Sequence, residues 1–253
     1  MLEATSSPPL PWCGNCPLRA GAGFQDFTEA ELDLIASFKV EHRRVPAGAD
    51  LFAYGDPATH LFTLYSGWAY RYRLLNGGRR QILGMVLPGE LTGTPGAIVG
   101  RYGHSLRAAT AAEFCVLSFA HLPQVLRDGH GLPMRLLWLA AHEQRMLERV
   151  AVTLGRCSAE EALAGFALDL RDRLSRRGLL DPNGLGFAFP LGQAEVADHL
   201  GMTVVHLNRV LRRMEERALL RLRRGRLEIL DLDGLRALSC VLDPEDAAPH
   251  PLL

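Results

Sequence analysis

The sequence predicts an α+β protein in which an N-terminal antiparallel β-roll of jelly-roll type precedes a long helix and a compact helical domain. Three observations support this architecture. Short strand-like runs broken by glycine or proline fill residues 43–120. A heptad-like apolar pattern fills residues 133–156, and two helical patterns followed by a β-hairpin fill residues 190–238.

The composition is that of a globular protein: of 253 residues, 48% are hydrophobic and 22% are charged. No apolar run approaches the roughly 18 residues of a membrane span, and no secretory signal is evident at the start. We therefore expect a cytoplasmic protein that does not enter a membrane. The five cysteines are scattered and odd in number, which argues against a disulfide framework. They are Cys13, Cys16, Cys115, Cys157 and Cys240.

The N-terminal half divides into an irregular arm, residues 1–27, and a β-roll domain, residues 28–130. The arm is rich in Pro, Gly, Ser and Ala and contains a Cys-x-x-Cys pair, Cys13 and Cys16. Thr28 and Glu31 have capping-box spacing and predict a short helix at the start of the roll. The Asn76-Gly77-Gly78 turn between two strand-like runs predicts a hairpin.

The long helix, residues 131–157, carries an apolar seam with steps of three and four residues. The seam consists of Leu136, Ala140, Glu143, Leu147, Val150 and Leu154, with Glu143 as its polar break. This spacing is typical of a helix that pairs with a second copy in a coiled coil. Since it covers only about three heptads, packing of the helix on its own domain is an equal alternative.

Residues 158–240 read as a winged helix-turn-helix domain, and residues 241–253 as a flexible tail. Ser158 and Glu161 again have capping-box spacing. Two further helices, about 193–200 and 203–217, flank Gly201, which permits a positive φ at the turn. Two strands then flank Arg224-Gly225. The inward positions of the two helices are Val196, Leu200, Leu207, Val210, Leu211 and Met214.

The second helix and the hairpin concentrate positive charge in an otherwise neutral chain, with eight arginines between His206 and Arg226 against Glu215 and Glu216. Such a segment is an electrostatic footprint for DNA, and a recognition helix reads bases mainly from its N-terminal half. The predicted base contacts are Val204, Val205, His206, Asn208 and Arg209. The predicted phosphate contacts are Thr203, Arg212, Arg213, Arg223, Arg224 and Arg226.

Six motifs, in order along the chain, resemble those of the Crp/Fnr family of bacterial transcription regulators, and the resemblance extends from about residue 13 to residue 239. They are CGNCPLR from Cys13, SGWAYRY from Ser66, NGGRRQIL from Asn76, PGEL from Pro88, LGRCSAEE from Leu154 and LGMTVVHLNR from Leu200. The resemblance implies a cyclic-nucleotide-binding-like roll, a homodimer on a palindromic operator in double-stranded DNA, and contact with RNA polymerase. It places the family's recognition arginine at Arg209. Thr203-Val204-Val205 replaces the frequent Ser-Arg-Glu, so the target sequence should differ.

A cyclic nucleotide matches the roll poorly. Family members that bind one use a Gly-Glu-Leu turn, present here as Gly89-Glu90-Leu91, and an Arg-Ser pair about ten residues later. Tyr102 and Gly103 stand at that pair. Arg101 and Arg107 are nearby without the motif, and a phosphate without a positioned arginine binds weakly. The effector-pocket candidates are thus Glu90, Leu91, Arg101 and Arg107, and a turn kept for the fold is the favoured interpretation.

An iron–sulfur cluster also matches poorly. The family's oxygen sensors use N-terminal cysteines and one cysteine of the roll, which correspond to Cys13, Cys16 and Cys115. Ala22 stands near the expected third N-terminal cysteine, and a four-iron cluster normally takes four thiolates. Zinc lacks two further ligands, and no histidine spacing indicates haem. Cys13 and Cys16 are left as a candidate redox pair, and no cofactor is predicted with a complete site.

The sequence does not predict an enzyme. Cys13 and Cys16 lie in a Pro/Gly-rich arm rather than at the helix start of a βαβ unit. His60 and His104 are isolated, so a metal centre of the cupin type is not indicated. The alternative to a DNA-binding regulator is a redox- or nucleotide-responsive sensor or adaptor whose basic helix does not bind DNA.

Overall fold

The computed structural model describes residues 13–20, 23–128, 131–241 and 250–253. Within them the chain forms two compact units. The roll unit comprises Met1–Ala69, Val86–Ala141 and His250–Leu253, and the winged unit comprises Tyr70–Met85 and His142–Pro249, as far as these ranges are described. Among the described residues, no helix combines the length and the apolarity needed to cross a membrane.

The roll unit is built mainly from antiparallel strands, as the sequence predicts. Its strands are β1 (Lys39–Val45), β2 (Asp50–Phe52), β3 (His60–Ser66), β6 (Leu91–Thr92), β7 (Ser105–Ala108) and β8 (Ala112–Ser118). One sheet has the order β1-β8-β3-β6, and β2 pairs antiparallel with β7. The helices are α1 (Glu29–Phe38), α2 (Thr94–Val99), α3 (Leu122–Asp128) and the start of α4 (Leu132–Arg156). The sequence did not predict β1 and α2.

The interior of the roll unit is closed by large side chains. Leu64, Leu106 and Phe114 are fully buried, and Tyr102 stacks on Phe52 with 3.9 Å between the ring centroids. The turn after β3 requires glycine, because Gly67 has φ +88° and a Cβ there would lie 2.5 Å from the carbonyl oxygen of Ala111.

The winged unit contains the β4–β5 hairpin, the end of α4 and the C-terminal domain. β4 (Ala69–Leu74) and β5 (Arg80–Val86) are neighbours joined by the predicted Asn-Gly-Gly turn, and their outer residues Ala69 and Val86 belong to the roll unit. The C-terminal helices are α5 (Ala159–Ser175), α6 (Gln193–Leu200), α7 (Val204–Glu216) and α8 (Leu232–Leu238). The strands β9 (Gly186–Ala188), β10 (Leu220–Arg223) and β11 (Arg226–Ile229) form a sheet of order β10-β11-β9.

Local sequence signals account for the helix boundaries. Both predicted capping boxes are present: Thr28 and Glu31 begin α1, and Ser158 and Glu161 begin α5. In each, the hydroxyl accepts the N–H of the glutamate and the glutamate accepts the N–H of the cap residue. β9 and α8 were not predicted, because each is short and owes its place to tertiary packing.

A disulfide joins Cys157 and Cys240 across 83 residues of sequence, with 5.9 Å between the Cα atoms. The sequence argued against a disulfide framework, and this one bond departs from that expectation. Cys157 lies between α4 and α5, and Cys240 follows α8. Cys13, Cys16 and Cys115 are free thiols.

The predicted arm and tail fall partly outside the described residues, which omit 1–12, 21–22 and 242–249. The last four residues, for which a flexible tail was expected, pack in the roll unit. His250 forms a parallel bridge with Phe24 and is 6% exposed, and Leu252 is 3% exposed. Arg19 donates a hydrogen bond of 2.6 Å to the carbonyl oxygen of Leu252. Nothing in the composition of the tail signalled this placement.

Candidate nucleic-acid interface

The turn between α6 and α7 has the geometry of a helix-turn-helix. Gly201 ends α6 with φ +64°, and a Cβ at this position would lie 3.0 Å from Cδ2 of Leu154. Thr203 begins α7, since its hydroxyl accepts the N–H of His206 at 3.1 Å. The buried positions are Val196, Ala197, Leu200, Leu207, Val210 and Met214. Leu211, which we expected to face inward, is only partly buried.

The N-terminal half of α7 presents every predicted base-contact residue to solvent. Val204, Val205, His206, Asn208 and Arg209 are all exposed, with Val205 at 63%. Two exposed valines beside a basic and an amide side chain leave an apolar surface uncovered. Valine can contact a thymine methyl, arginine can bind guanine and asparagine can bind adenine. The face therefore carries side chains that can read base edges.

The arginines around this face differ in their partners. Within the described residues, Arg209 and Arg224 are the two exposed arginines of α7 and the wing that have no carboxylate partner. The others form ion pairs: Arg212 with Glu216 at 2.8 Å, Arg213 and Arg217 with Glu160 at 2.5 and 2.7 Å, Arg221 and Arg223 with Glu215 at 2.8 Å, and Arg226 with Asp181.

These ion pairs lie at the protein surface. Arg212 is 82% exposed and Arg223 67%. Hydrogen bonds from Arg221 and Arg223 lower the pKa of Glu215, so this carboxylate is charged at neutral pH. Exposed pairs contribute little to stability because water already solvates both partners. A phosphate can therefore compete with the carboxylate for each of these arginines.

The β4–β5 hairpin holds α6 through an arginine that sequence reasoning missed. Arg80 donates to Asp198 at 2.7 Å, to Glu195 at 3.2 Å and to the hydroxyl of Tyr70 at 2.8 Å. Burial lowers the pKa of Arg80, but the bond to Asp198 and its neighbours outweigh burial and raise it. The pairing spans more than a hundred residues of sequence, and no local pattern indicates it.

His199, at the end of α6, is packed against the hairpin and α5. Its ring lies 5.0 Å from that of Phe166, and Nδ1 donates to the carbonyl oxygen of Ile82 at 3.2 Å. Burial lowers the pKa of His199 below its ordinary value. The folded protein therefore keeps this imidazole neutral at a pH where the unfolded chain protonates it.

We expect the free energy of unfolding to fall as the pH drops below about 6.5, the ordinary histidine pKa. Each pH unit below that value should cost about 1.4 kcal/mol until the lowered folded pKa is reached. Urea unfolding at pH 7.5 and 5.5 measures this loss. His199→Phe should reduce the loss, and His206→Gln, at an exposed position, should leave it as in the parent. Equal losses in the parent and His199→Phe would contradict the assignment.

The effector-pocket candidates of the roll unit are engaged in the fold. The Glu90 carboxylate accepts the N–H of Leu87 at 3.1 Å and closes the turn before β6. Leu91 lines an apolar cleft with α1 and α4 residues. Arg101 donates to the carbonyl oxygen of Gly55 at 2.6 Å, and Arg107 forms a bidentate pair with Asp50 on β2.

The roll does not fit a cyclic nucleotide at Tyr102 and Gly103, the two positions where its phosphate would bind. Tyr102, at one of the two phosphate-binding positions, is 4% exposed and donates through its hydroxyl to the carbonyl oxygen of His60 at 2.8 Å. Gly103, at the other, has no side chain. Arg107 is already matched by Asp50, so neither position supplies the cation and hydroxyl that a cyclic phosphate needs.

The three free cysteines line one cleft of about 440 Å³ in the roll unit, together with Lys39 and Leu253. Burial raises the pKa of Cys13 and of Cys115, so these thiols stay protonated at neutral pH. Among the described residues, no three side chains of His, Cys, Asp or Glu are grouped so that they could hold a metal ion. Burial therefore keeps Cys13 and Cys115 from supplying thiolates to this cleft.

The predicted seam of α4 divides between two faces of the helix. Leu136 packs against the apolar cluster of the roll unit, Glu143 accepts a hydrogen bond from Arg71, and Val150 lines a cleft of the winged unit. These three side chains contact other parts of their own chain. The apolar spacing did not reveal this, because α4 has apolar side chains on more than one face. Ala140 is partly buried and Leu147 is 42% exposed. Leu154 is also 42% exposed, although it lines the same cleft as Val150 and lies beside Gly201.

The exposed face of α4 carries its own heptad spacing. Leu137, 61% exposed, is followed at alternating steps of three and four residues by Ala140, Gln144, Leu147, Ala151 and Leu154. Leu132 is the one buried residue of the helix. A 25-residue helix with so little buried surface leaves an apolar face uncovered.

Two family models match the chain and together span most of it. A Crp-like helix-turn-helix domain matches residues 161–238, and a cyclic nucleotide-binding domain matches residues 42–128. The first contains α6, α7 and the wing, and the second contains the roll strands. Both matches agree with the architecture described above.

Relatives extend over nearly the whole chain. The nitrogen fixation regulation protein FixK of Bradyrhizobium diazoefficiens is 30% identical over 231 residues, which is 90% of this chain and 94% of the relative. The transcriptional activator protein FnrA of Stutzerimonas stutzeri is 27% identical and is covered to 92%. The structure of FixK2 from Bradyrhizobium japonicum superposes with a TM-score of 0.72 at 22% identity, over 80% of this chain and 98% of that one.

One relative is named as a nitrogen fixation regulation protein and the other as a transcriptional activator, and each match covers 90% of this chain. Identity of 30% over nine-tenths of the chain, together with both domain matches, shows common ancestry of the whole architecture. The chain therefore belongs to the Crp/Fnr family of transcription regulators.

Proposed function

We propose that two copies of this chain bind a palindromic operator in the bacterial cytoplasm, each placing the N-terminal half of α7 in the major groove. The observation that carries the proposal is the exposed face of α7, on which Arg209 lacks a carboxylate partner. Val204, Val205, His206 and Asn208 read bases beside it. The phosphate contacts come from Thr203, Arg212, Arg213, Arg223, Arg224 and Arg226.

The proposed dimer interface is the exposed face of α4 formed by Leu137, Ala140, Gln144, Leu147, Ala151 and Leu154. Heptad spacing and uncovered apolar side chains support a second copy of α4 as the occupant. A dimer with two recognition helices about one DNA turn apart matches a palindromic site. Ala140, Leu147 and Leu154 belong both to the predicted seam and to this face. The other three seam residues contact their own chain and are not part of the proposed interface.

We further propose that a signal at the roll unit changes the packing of the α4 pair and so re-aims the recognition helices. The hydrogen bonds from Arg80 to Asp198 and Glu195 attach the β4–β5 hairpin directly to α6, the first helix of the helix-turn-helix. The names of relatives as transcriptional activators support RNA polymerase as a further partner. A cyclic nucleotide is disfavoured as the signal, because the roll lacks the phosphate ligands.

Salt dependence of DNA binding tests the proposed function. If the five phosphate-contacting arginines of each protomer engage, the slope of log K against log[salt] should approach about −9, since each neutralised phosphate contributes about −0.9. Affinity should then fall roughly 10³- to 10⁵-fold between about 50 and 200 mM salt. Fluorescence anisotropy with a labelled duplex selected from a randomised pool measures it. Absence of salt-dependent binding would favour an adaptor that does not touch DNA.

A further inference from the structure

The Cys157–Cys240 disulfide lies where the long helix meets the winged domain. Cys157 stands between Arg156, the last residue of α4, and Ser158, the N-cap of α5. Cys240 follows α8 after one residue, so the bond joins the two ends of the segment that contains α5 to α8. The Cα separation of 5.9 Å is within the range that a disulfide spans without backbone movement.

In the bacterial cytoplasm such a bond points to redox sensing, and this step rests on the proposed function. A regulator that binds bacterial DNA works among reducing thiols, where disulfides are rare and are usually transient or redox-sensing. Cys240 is exposed and Cys157 is half-buried, so small molecules can reach the bond. Cys13, Cys16 and Cys115 are free thiols, which distinguishes this pair from them.

We propose that Cys157 and Cys240 form a reversible thiol–disulfide pair that lowers DNA affinity when oxidised. The oxidant is a low-molecular-weight disulfide, RSSR. One cysteine thiolate attacks it, forms a mixed disulfide and releases RS⁻, and the second cysteine attacks the first and releases another RS⁻. Two thiols thus lose two electrons to RSSR, and their two protons end on the two RSH. A dithiol reductant reverses the exchange.

The first turn of α5 connects this bond to the recognition helix. Glu160, three residues after Cys157, accepts hydrogen bonds from Arg213 at 2.5 Å and from Arg217 at 2.7 Å. In the oxidised form the bond fixes the start of α5, and with it the carboxylate that neutralises two arginines of α7. Reduction frees the hinge between α4 and α5, and Glu160 can then separate from Arg213 when a phosphate binds.

The test compares one protein in two redox buffers. The labelled duplex is selected from a randomised pool by reduced parent protein, and oxidised glutathione or dithiothreitol sets the redox state. Alkylation and mass spectrometry confirm the bond in the first buffer and its absence in the second. Reduced protein should bind about tenfold more tightly. Glu160→Gln should bring the oxidised protein close to the affinity of the reduced one.

Two variants make the result specific. Cys157→Ser with Cys240→Ser should bind with the same affinity in both buffers, and Cys115→Ser should keep the tenfold response. Equal affinity of the oxidised and reduced parent, or free thiols at both positions after oxidation, would overturn the redox proposal while leaving DNA binding intact. If neither form prefers the selected duplex to a mixed-sequence duplex, the proposed function fails together with this inference.

Discussion

The Leu147→Glu protein is expected to be monomeric and to bind a palindromic duplex roughly 10²- to 10⁴-fold more weakly than the parent. Leu147 is 42% exposed on the proposed α4 interface, and in a symmetric pair its two copies face each other. Glutamate there places two negative charges in a contact that excludes water. Loss of the second protomer removes the gain in affinity of roughly 10²- to 10⁴-fold that two linked binding sites provide.

Analytical ultracentrifugation gives the oligomeric state, and anisotropy gives the affinity. Val152→Glu is the matched control, because Val152 is 49% exposed on α4 but lies about 110° of helical rotation from the centre of that face. It should leave both properties unchanged. Ala151→Glu, one position earlier, should behave like Leu147→Glu. A Leu147→Glu dimer with normal DNA binding would exclude the interface.

Arg209→Ala is expected to abolish most of the preference for the selected operator. Arg209 has no carboxylate partner in the described structure and points from the exposed face of α7. A bidentate arginine–guanine contact discriminates by about 1–3 kcal/mol, and a dimer contains two of them. The ratio of specific to mixed-sequence binding should therefore fall by about 30- to 10⁴-fold, measured by competition with unlabelled duplexes.

Arg224→Ala provides the comparison, because Arg224 lies on the wing and also lacks a carboxylate partner. Its proposed contact is with phosphate, which carries no sequence information. We expect it to weaken binding to both duplexes alike and to reduce the salt slope by about two units, one for each protomer. Equal effects of the two substitutions on sequence preference would show that Arg209 does not read bases.

Features encoded by neighbouring residues were predictable from the sequence. The capping boxes at Thr28 and Ser158 and the turn at Gly201 each depend on residues a few positions apart, and the structure has all three. The exposed face of α7 follows from the 3.6-residue period once its buried residues are known. The fold and the general character of the DNA-binding surface therefore came from local patterns.

Features that depend on distant residues were not predictable in this way. Arg80 meets Asp198, and Cys157 meets Cys240, through tertiary packing that no single-sequence pattern reveals. The seam of α4 shows the same limit, since an apolar period marks two faces of the helix equally well. Only the contacts of Leu136 and Glu143 decide which face is already covered.

The sparse burial of α4 has a consequence for how much regulator a cell must hold. α4 has one fully buried residue in 25, so in the proposed dimer a second copy covers the apolar face that its own chain leaves open. Dilution then uncovers this face as it separates the protomers. Occupancy of the operator would depend on the square of the monomer concentration, which makes the promoter more sensitive to synthesis and degradation of the regulator itself.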